Sequence, residues 1–178
     1  VMSNRYYRVE STDTAAFYIT DRFITIDGIQ NTSNNPSGVH WNTGIRYNLA
    51  IGSSLDTINI IKNNLLEINK TDTSYNYTGV RIYNDIDNTN FYSYLINNIT
   101  YYTNNSNGSG LRHGNGTSVY YNNTGGADSY SIRGDSGTNI VINNLVRQSN
   151  GSFDLPSDFN ISQNSGFGGA NDLTNQTI

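Results

Sequence analysis

The sequence predicts an all-β solenoid, a chain wound so that each turn stacks on the one before it. Two recurring columns and one exclusion predict it. First, a short apolar run ending in a polar pair occurs four times: "ITIDGIQ" (24–30), "IIKNNLL" (60–66), "YLINNIT" (94–100) and "IVINNLV" (140–146). The second member of each pair is Gly28, Asn64, Asn98 or Asn144. Glycine and asparagine are the residues that most readily take positive φ, so this column is predicted to be a left-handed bend. The bends lie 36, 34 and 46 residues apart.

The second column follows the first: "SGVH" (37–40), "TGVR" (78–81), "SGLR" (109–112) and, more loosely, "GSFD" (151–154). Two strand columns recurring in fixed order, joined by turns of unequal length, describe stacked coils. The exclusion is of helix, because no segment sustains a 3.6-residue apolar period and Asn/Gly pairs punctuate every candidate. A β-sandwich built from short strands and polar turns is the structural competitor.

Taken in order, residues 1–22 read as a lead-in, 23–163 as the repeating coils, and 164–178 as an exit cap or linker. The long third interval is expected to hold an inserted loop around residues 104–126. Ile26, Leu65, Val80, Ile99, Leu111 and Val141 are expected to point inward.

The 178 residues fit one domain with a buried core. Charged residues are only 13% and the net charge is −4, which argues against a general nucleic-acid binder. With no cysteine there is no disulfide framework and no thiolate site. No apolar run approaches the ~18 residues of a membrane span, so direct membrane insertion is not expected. The chain opens Val-Met-Ser and closes on "NDLTNQTI", which reads as a piece of a longer polypeptide.

"FYITDRFITIDGIQ" (17–30), the "NN" coils and "GVRIYN" (79–84) together resemble right-handed parallel β-helix proteins of the pectate-lyase-like superfamily, over residues 8–163. The resemblance implies three short parallel strands per coil, about four to five coils and enlarged loops. It also implies an asparagine ladder, with Gly28, Asn64, Asn98 and Asn144 as its members. Members of the superfamily include polysaccharide lyases and hydrolases, phage tailspikes, adhesins and structural surface proteins.

Candidate sites follow from the pattern. His40, Arg81 and Arg112 sit one residue after inward Val39, Val80 and Leu111, so they form an outward basic column with Asp154 in the fourth place. Such a column suits an acidic sugar or sulfate, although solvated charges paired with nearby aspartates are the commoner explanation. For catalysis, Asp85 and Asp87 in "NDIDNTN" are a close carboxylate pair, and Arg112 or His113 is the candidate base. A D-x-D in a turn is more often turn chemistry. "DIDNTN" (85–90) lacks the glycine and glutamate of a Ca²⁺ loop, and two isolated histidines give no Zn²⁺ spacing, so no metal or cofactor is implied. "RGDS" (133–136) matches the integrin tripeptide but reads as a Gly-Asp turn.

Eleven N-x-S/T sequons, among them Asn31, Asn69, Asn76, Asn107, Asn122 and Asn150, mark candidate glycan carriers. Asn98 is a sequon as well but belongs to the bend column. Tyr120 and Tyr121 could stack on sugars or pack between coils. The expectation is a structural or glycan-adhesive solenoid of an extracellular, cell-surface or virion-surface protein. Its partner would be a surface glycan, or further copies of itself in an oligomer or fibre. The alternative is a polysaccharide lyase or glycoside hydrolase acting on an acidic polysaccharide along the outer face.

Overall fold

The computed structural model describes residues 7–11, 15–20, 22–35, 42–49, 57–70, 77–84, 91–102, 108–126, 130–147, 149–150, 153–154, 157–163 and 167–177. The strands form three sheets. Sheet A holds β1 (Tyr7–Ser11), β4 (Ile29–Asn35), β7 (Leu65–Lys70), β10 (Ile99–Tyr102), β13 (Thr124–Gly126), β16 (Leu145–Val146) and β18 (Ile161–Ser162), in that spatial order. Sheet B holds β2 (Ala15–Ile19), β5 (Asn42–Leu49), β8 (Tyr77–Asn84), β11 (Gly108–His113), β14 (Tyr130–Gly134) and β17 (Ser149–Asn150). Sheet C holds β3 (Thr25–Asp27), β6 (Thr57–Lys62), β9 (Phe91–Ile96), β12 (Thr117–Tyr121) and β15 (Thr138–Ile142).

From β1 to β16 the chain visits the sheets in strict rotation, and every pairing among the described residues is parallel. A parallel neighbour cannot be reached through a tight hairpin. Here the strands of the other two sheets make the crossover. The all-β parallel stack read from the repeats is therefore present, and an antiparallel sandwich is excluded. β1 and β2 already pair within the sheets, ahead of residue 23.

Strands alternate inward and outward side chains, and the parallel register puts like residues above one another. Ile45, Val80, Leu111 and Ile132 line the inside of sheet B, while Ile26, Ile61, Leu95, Tyr120 and Val141 line that of sheet C. Each such side chain contributes roughly 1.5–3 kcal/mol when fully buried, so the columns fasten coil to coil. Ile26, Val80, Leu111 and Val141 thus point inward as expected. Leu65 and Ile99 do not. Both lie on the outer face of sheet A, with Ile99 46% exposed, while Leu66 and Thr100 next to them are buried. The reason is that Asn64 and Asn98 themselves turn inward, and alternation resumes from them.

That inward turn also corrects the reading of the bend. Positive φ falls where expected at Gly28 (72°), but in the asparagine pairs it falls on the first member: Asn63 (57°), Asn97 (54°) and Asn143 (55°), with Asn122 (55°) equivalent to them. The second members are buried and hydrogen-bonded in a row. Asn64 Nδ2 donates to Asn98 Oδ1 (2.9 Å), and Asn98 Nδ2 donates to Asn123 Oδ1 (3.0 Å). Asn123 then donates to Asn144, and Asn144 to Asn160, each at 3.0 Å.

The other amide hydrogen goes to a backbone carbonyl of a neighbouring coil: Asn98 to Ile61 and Asn123 to Leu95, both at 2.8 Å. Each Oδ1 also accepts a backbone N–H, as Asn123 Oδ1 does from Asn98 (2.9 Å). At Asn98, Asn123, Asn144 and Asn160 every hydrogen-bonding capacity of the buried primary amide is thus used. Gly28 is not in this row. Asp27 pairs with Lys62, which sets Gly28 beside Asn63 and Ile29 beside Asn64, one residue away from the alignment by sequence.

Asn123 marks a coil that the four apolar runs do not show. Along the row the intervals are 34, 25, 21 and 16 residues, so the turns tighten toward the C-terminal side. The apparent 46-residue repeat is two short ones. Residues 108–126 are consequently no inserted loop, since they contain β11, β12 and β13, and residues 104–107 lie outside the described residues. Among the described residues the three sheets hold seven, six and five strands.

Candidate functional site

The outer face of sheet B carries a column of arginines. Arg46 on β5 pairs in register with Arg81 on β8, Arg81 with Arg112 on β11, and Arg112 with Arg133 on β14. Tyr18 precedes the column on β2 and Asn150 follows it on β17. Each arginine comes directly after a buried apolar residue, Ile45, Val80, Leu111 or Ile132, so alternation sends the guanidinium outward. Adjacent strands lie about 4.8 Å apart, which sets the spacing of the column.

The membership differs from the sequence reading in two places. "TGIR" (43–46), and not "SGVH", is the first turn's match to "TGVR", and "YSIR" (130–133) is the fourth. His40 lies outside the described residues. Asp154 leaves the column altogether: its carboxylate accepts the Asn139 backbone N–H at 2.7 Å. The "TGIR" signal is present in the sequence, but "SGVH" stands closer to the bend at Gly28.

The electrostatics are uneven along the column. Asp135 accepts from Arg112 Nε (2.5 Å) and from Arg133 Nε (2.6 Å), one carboxylate serving two guanidiniums. The Arg46 guanidinium lies 5.4 Å from the centre of the Tyr18 ring, a cation–π contact at the exposed end. Neighbouring unit charges about 5 Å apart repel by roughly 0.8 kcal/mol in water and more where solvent is thinned. Arg112, with 15% of its side chain exposed, is the more enclosed member of the shared pair.

The candidate base pair does not assemble. Arg112 faces out, whereas His113 faces in, as adjacent residues of a strand must. His113 is fully buried between Ile82 and Gly134 in the register of sheet B, with the Phe91 ring 5.7 Å away. Neither ring nitrogen has a hydrogen-bond partner among the described residues. Burial drives its pKa down to about 3, against the weaker opposing pull of Asp135. A neutral, solvent-free imidazole cannot serve as a general base for an outer-face substrate. Tyr120 is likewise buried, which raises its phenol pKa, and its hydroxyl contacts the Arg133 carbonyl (3.5 Å), so it is core rather than a sugar platform. Tyr121 faces outward at 39% exposure. In "RGDS" the arginine and aspartate are paired with one another, and Ser136 donates to Asn115 Oδ1 (2.5 Å).

A concavity of about 430 Å³ lies along sheet A, lined by Ile99 and Tyr101 of β10, Thr124–Gly126 of β13, Leu145 of β16, and Arg147 and Gln163. Asp85, Asp87, Asn76 and Asn107 lie outside the described residues. Asn69 and Asn150 lie on β7 and β17. Asn31 is buried, and a glycan cannot be seated on a side chain enclosed by the core. Asn122 stands exposed at a bend. Among the described residues no group of three or more His, Cys, Asp or Glu could hold a metal, and no helix is long and apolar enough to cross a membrane. No family model, curated protein or solved structure matches the chain.

Proposed function

We propose that the chain is a rigid scaffold of an extracellular, cell-surface or virion-surface protein that binds an acidic surface glycan along its length. The fold would be a right-handed parallel β-helix of the pectate-lyase-like kind, with the buried asparagine row as its ladder. One observation carries the reading: four arginines held in register on one face, at strand spacing, with one carboxylate between two of them.

A linear polyanion laid along the axis would meet a guanidinium at each strand, and its carboxylates or sulfates would accept bidentate hydrogen bonds. Relief of the mutual repulsion within the column adds to the driving force. The stack is preorganised by the core columns behind it, so little ordering cost falls on the protein. The net charge of −4 keeps this attraction local and disfavours indiscriminate adsorption of polyanions.

The test is binding to sulfated and uronic-acid polysaccharides beside a neutral one, at two salt concentrations. Acidic polymers should bind with an affinity that falls as salt rises. Arg46→Ala and Arg81→Ala should each weaken binding by ~3–10-fold and flatten the salt dependence. Equal binding of neutral polymer, or indifference to both substitutions, would sink the reading. Depolymerisation of the bound glycan would move it to the enzyme class.

A further inference from the structure

The outer face of sheet C is broad and apolar. A solvated sheet face should present polar side chains at alternate positions. Here the outward positions of β6, β9, β12 and β15 carry Ile60, Tyr94, Val119 and Ile140 in one register column. The next column carries Ile96, Tyr121 and Ile142. Ile58 and Tyr92 widen the patch, 43% and 37% exposed. Among the described residues, charge on this face lies only at its two ends. The Asp27–Lys62 ion pair (3.2 Å) sits at one, and Asp158, bridged in register to Ile142, sits at the other.

We propose that this face docks a second copy of the chain about a two-fold axis. With the axis in the plane of the interface and running along β12, Tyr121 meets its own mate and Ile96 faces Ile142. Lys62 of one copy then comes opposite Asp158 of the other. An isologous contact needs such self-complementarity, because the same patch supplies both sides. Strand spacing and rise make the patch roughly 24 Å by 20 Å, so two copies bury on the order of 1,000 Å². That is the lower end of specific interfaces and points to a dimer in the micromolar range.

The asparagine row does not itself offer an end-on joint between copies. It starts from the Ile29 backbone N–H, a residue with no side-chain amide, and finishes on Asp172 Oδ1, which has no side-chain donor to pass on. The arginine column lies on sheet B, so the dimer and the glycan reading can fail independently.

Sedimentation equilibrium of the full chain over about 5–500 µM tests the proposal. Wild type should show a monomer–dimer equilibrium, and Val119→Glu should raise Kd by at least ~tenfold. Lys62→Glu and Asp158→Lys should each weaken the dimer, and the double substitution should bring Kd back to within ~threefold of wild type. Lys62 also pairs with Asp27, and the Asp158 carboxylate accepts from the Asn171 backbone and side chain (both 2.6 Å), so circular dichroism and a thermal melt of each variant separate loss of the dimer from loss of these local contacts. A monomer at every concentration, or a dimer untouched by Val119→Glu and by the charge swap, would overturn the proposal. A monomer that loses adsorption to an insoluble neutral polysaccharide on Val119→Glu would overturn it too, making the face a glycan platform.

Discussion

His113→Leu should alter how the protein responds to acid more than how it behaves at neutral pH. The wild-type imidazole is buried with both nitrogens unpartnered among the described residues, and its pKa is pushed from 6.5 to about 3. An unfolded chain takes up this proton as pH drops through 6.5, while the folded chain resists until about 3. Between these values the unfolded state binds more protons, so stability falls as pH falls. The slope approaches about 1.4 kcal/mol per pH unit, or roughly 3 kcal/mol lost between neutral pH and pH 4. Against a typical domain stability of ~5–15 kcal/mol that loss is large.

Asp27 has a depressed pKa through its Asn63 hydrogen bond, opposed by desolvation and aided by Lys62. Its contribution has the same sign but is lost only below the ordinary carboxylate range, so it is separable from the histidine. Urea titrations at pH 7.5, 6.0, 5.0 and 4.5 should show wild-type stability falling with pH and the His113→Leu profile nearly flat. Leucine also removes two unsatisfied buried nitrogens, so the variant should be no less stable at pH 7.5. Parallel profiles for the two proteins down to pH 4.5 would refute the argument, and an imidazole that titrates near 6.5 by NMR in the folded state would do so directly.

Other substitutions probe the stack and the arginine column. Asn98→Ala orphans the Asn64 amide and the Ile61 carbonyl, and should cost roughly 2–5 kcal/mol in urea unfolding, whereas Asn97→Gly, at a φ of 54°, should change stability by less than about 1 kcal/mol. Equal costs at the two positions would mean that the buried row and the bend are not distinct roles. Gly110→Ala places a methyl 2.3 Å from Thr100 Oγ1 and 2.6 Å from the Ser131 carbonyl, so a loss of about 3 kcal/mol is expected by thermal melt, and a neutral result would contradict the packing at that corner. Asp135→Asn removes the carboxylate shared by Arg112 and Arg133 and should strengthen polyanion binding severalfold at low salt; weaker binding would show that Asp135 mainly orients the arginines.

Much of the architecture was legible because its signals are local. Apolar runs punctuated by Asn/Gly pairs exclude long helices and repeat in order, and "TGVR" and "SGLR" announce a strand with one face in and one face out. Less of the candidate site was legible. Residue type marks Arg81 and Arg112 as outward, but it cannot separate "SGVH" from "TGIR" as their neighbour in the first turn. Only the pairing of Ile45 with Val80 does that, and it exchanges His40 for Arg46. The adjacency of Arg112 and His113 suggested a shared site, and the strand divides them between solvent and core.

By itself, then, the sequence determined the all-β class, the recurrence of the bend and the sidedness of the strands, because conformational preference and alternation act over a few residues. The tertiary structure decided which asparagine of each pair bends and which is buried. Both members tolerate positive φ, and only an amide in the adjacent coil tells them apart. It also decided that residues 108–126 belong to a tightened coil, since Asn123 is recognised by its hydrogen bonds to Asn98 and Asn144 and not by apolar neighbours in sequence. Register between turns is set by what stacks on what, a relation between residues 16 to 34 positions apart that no single turn contains.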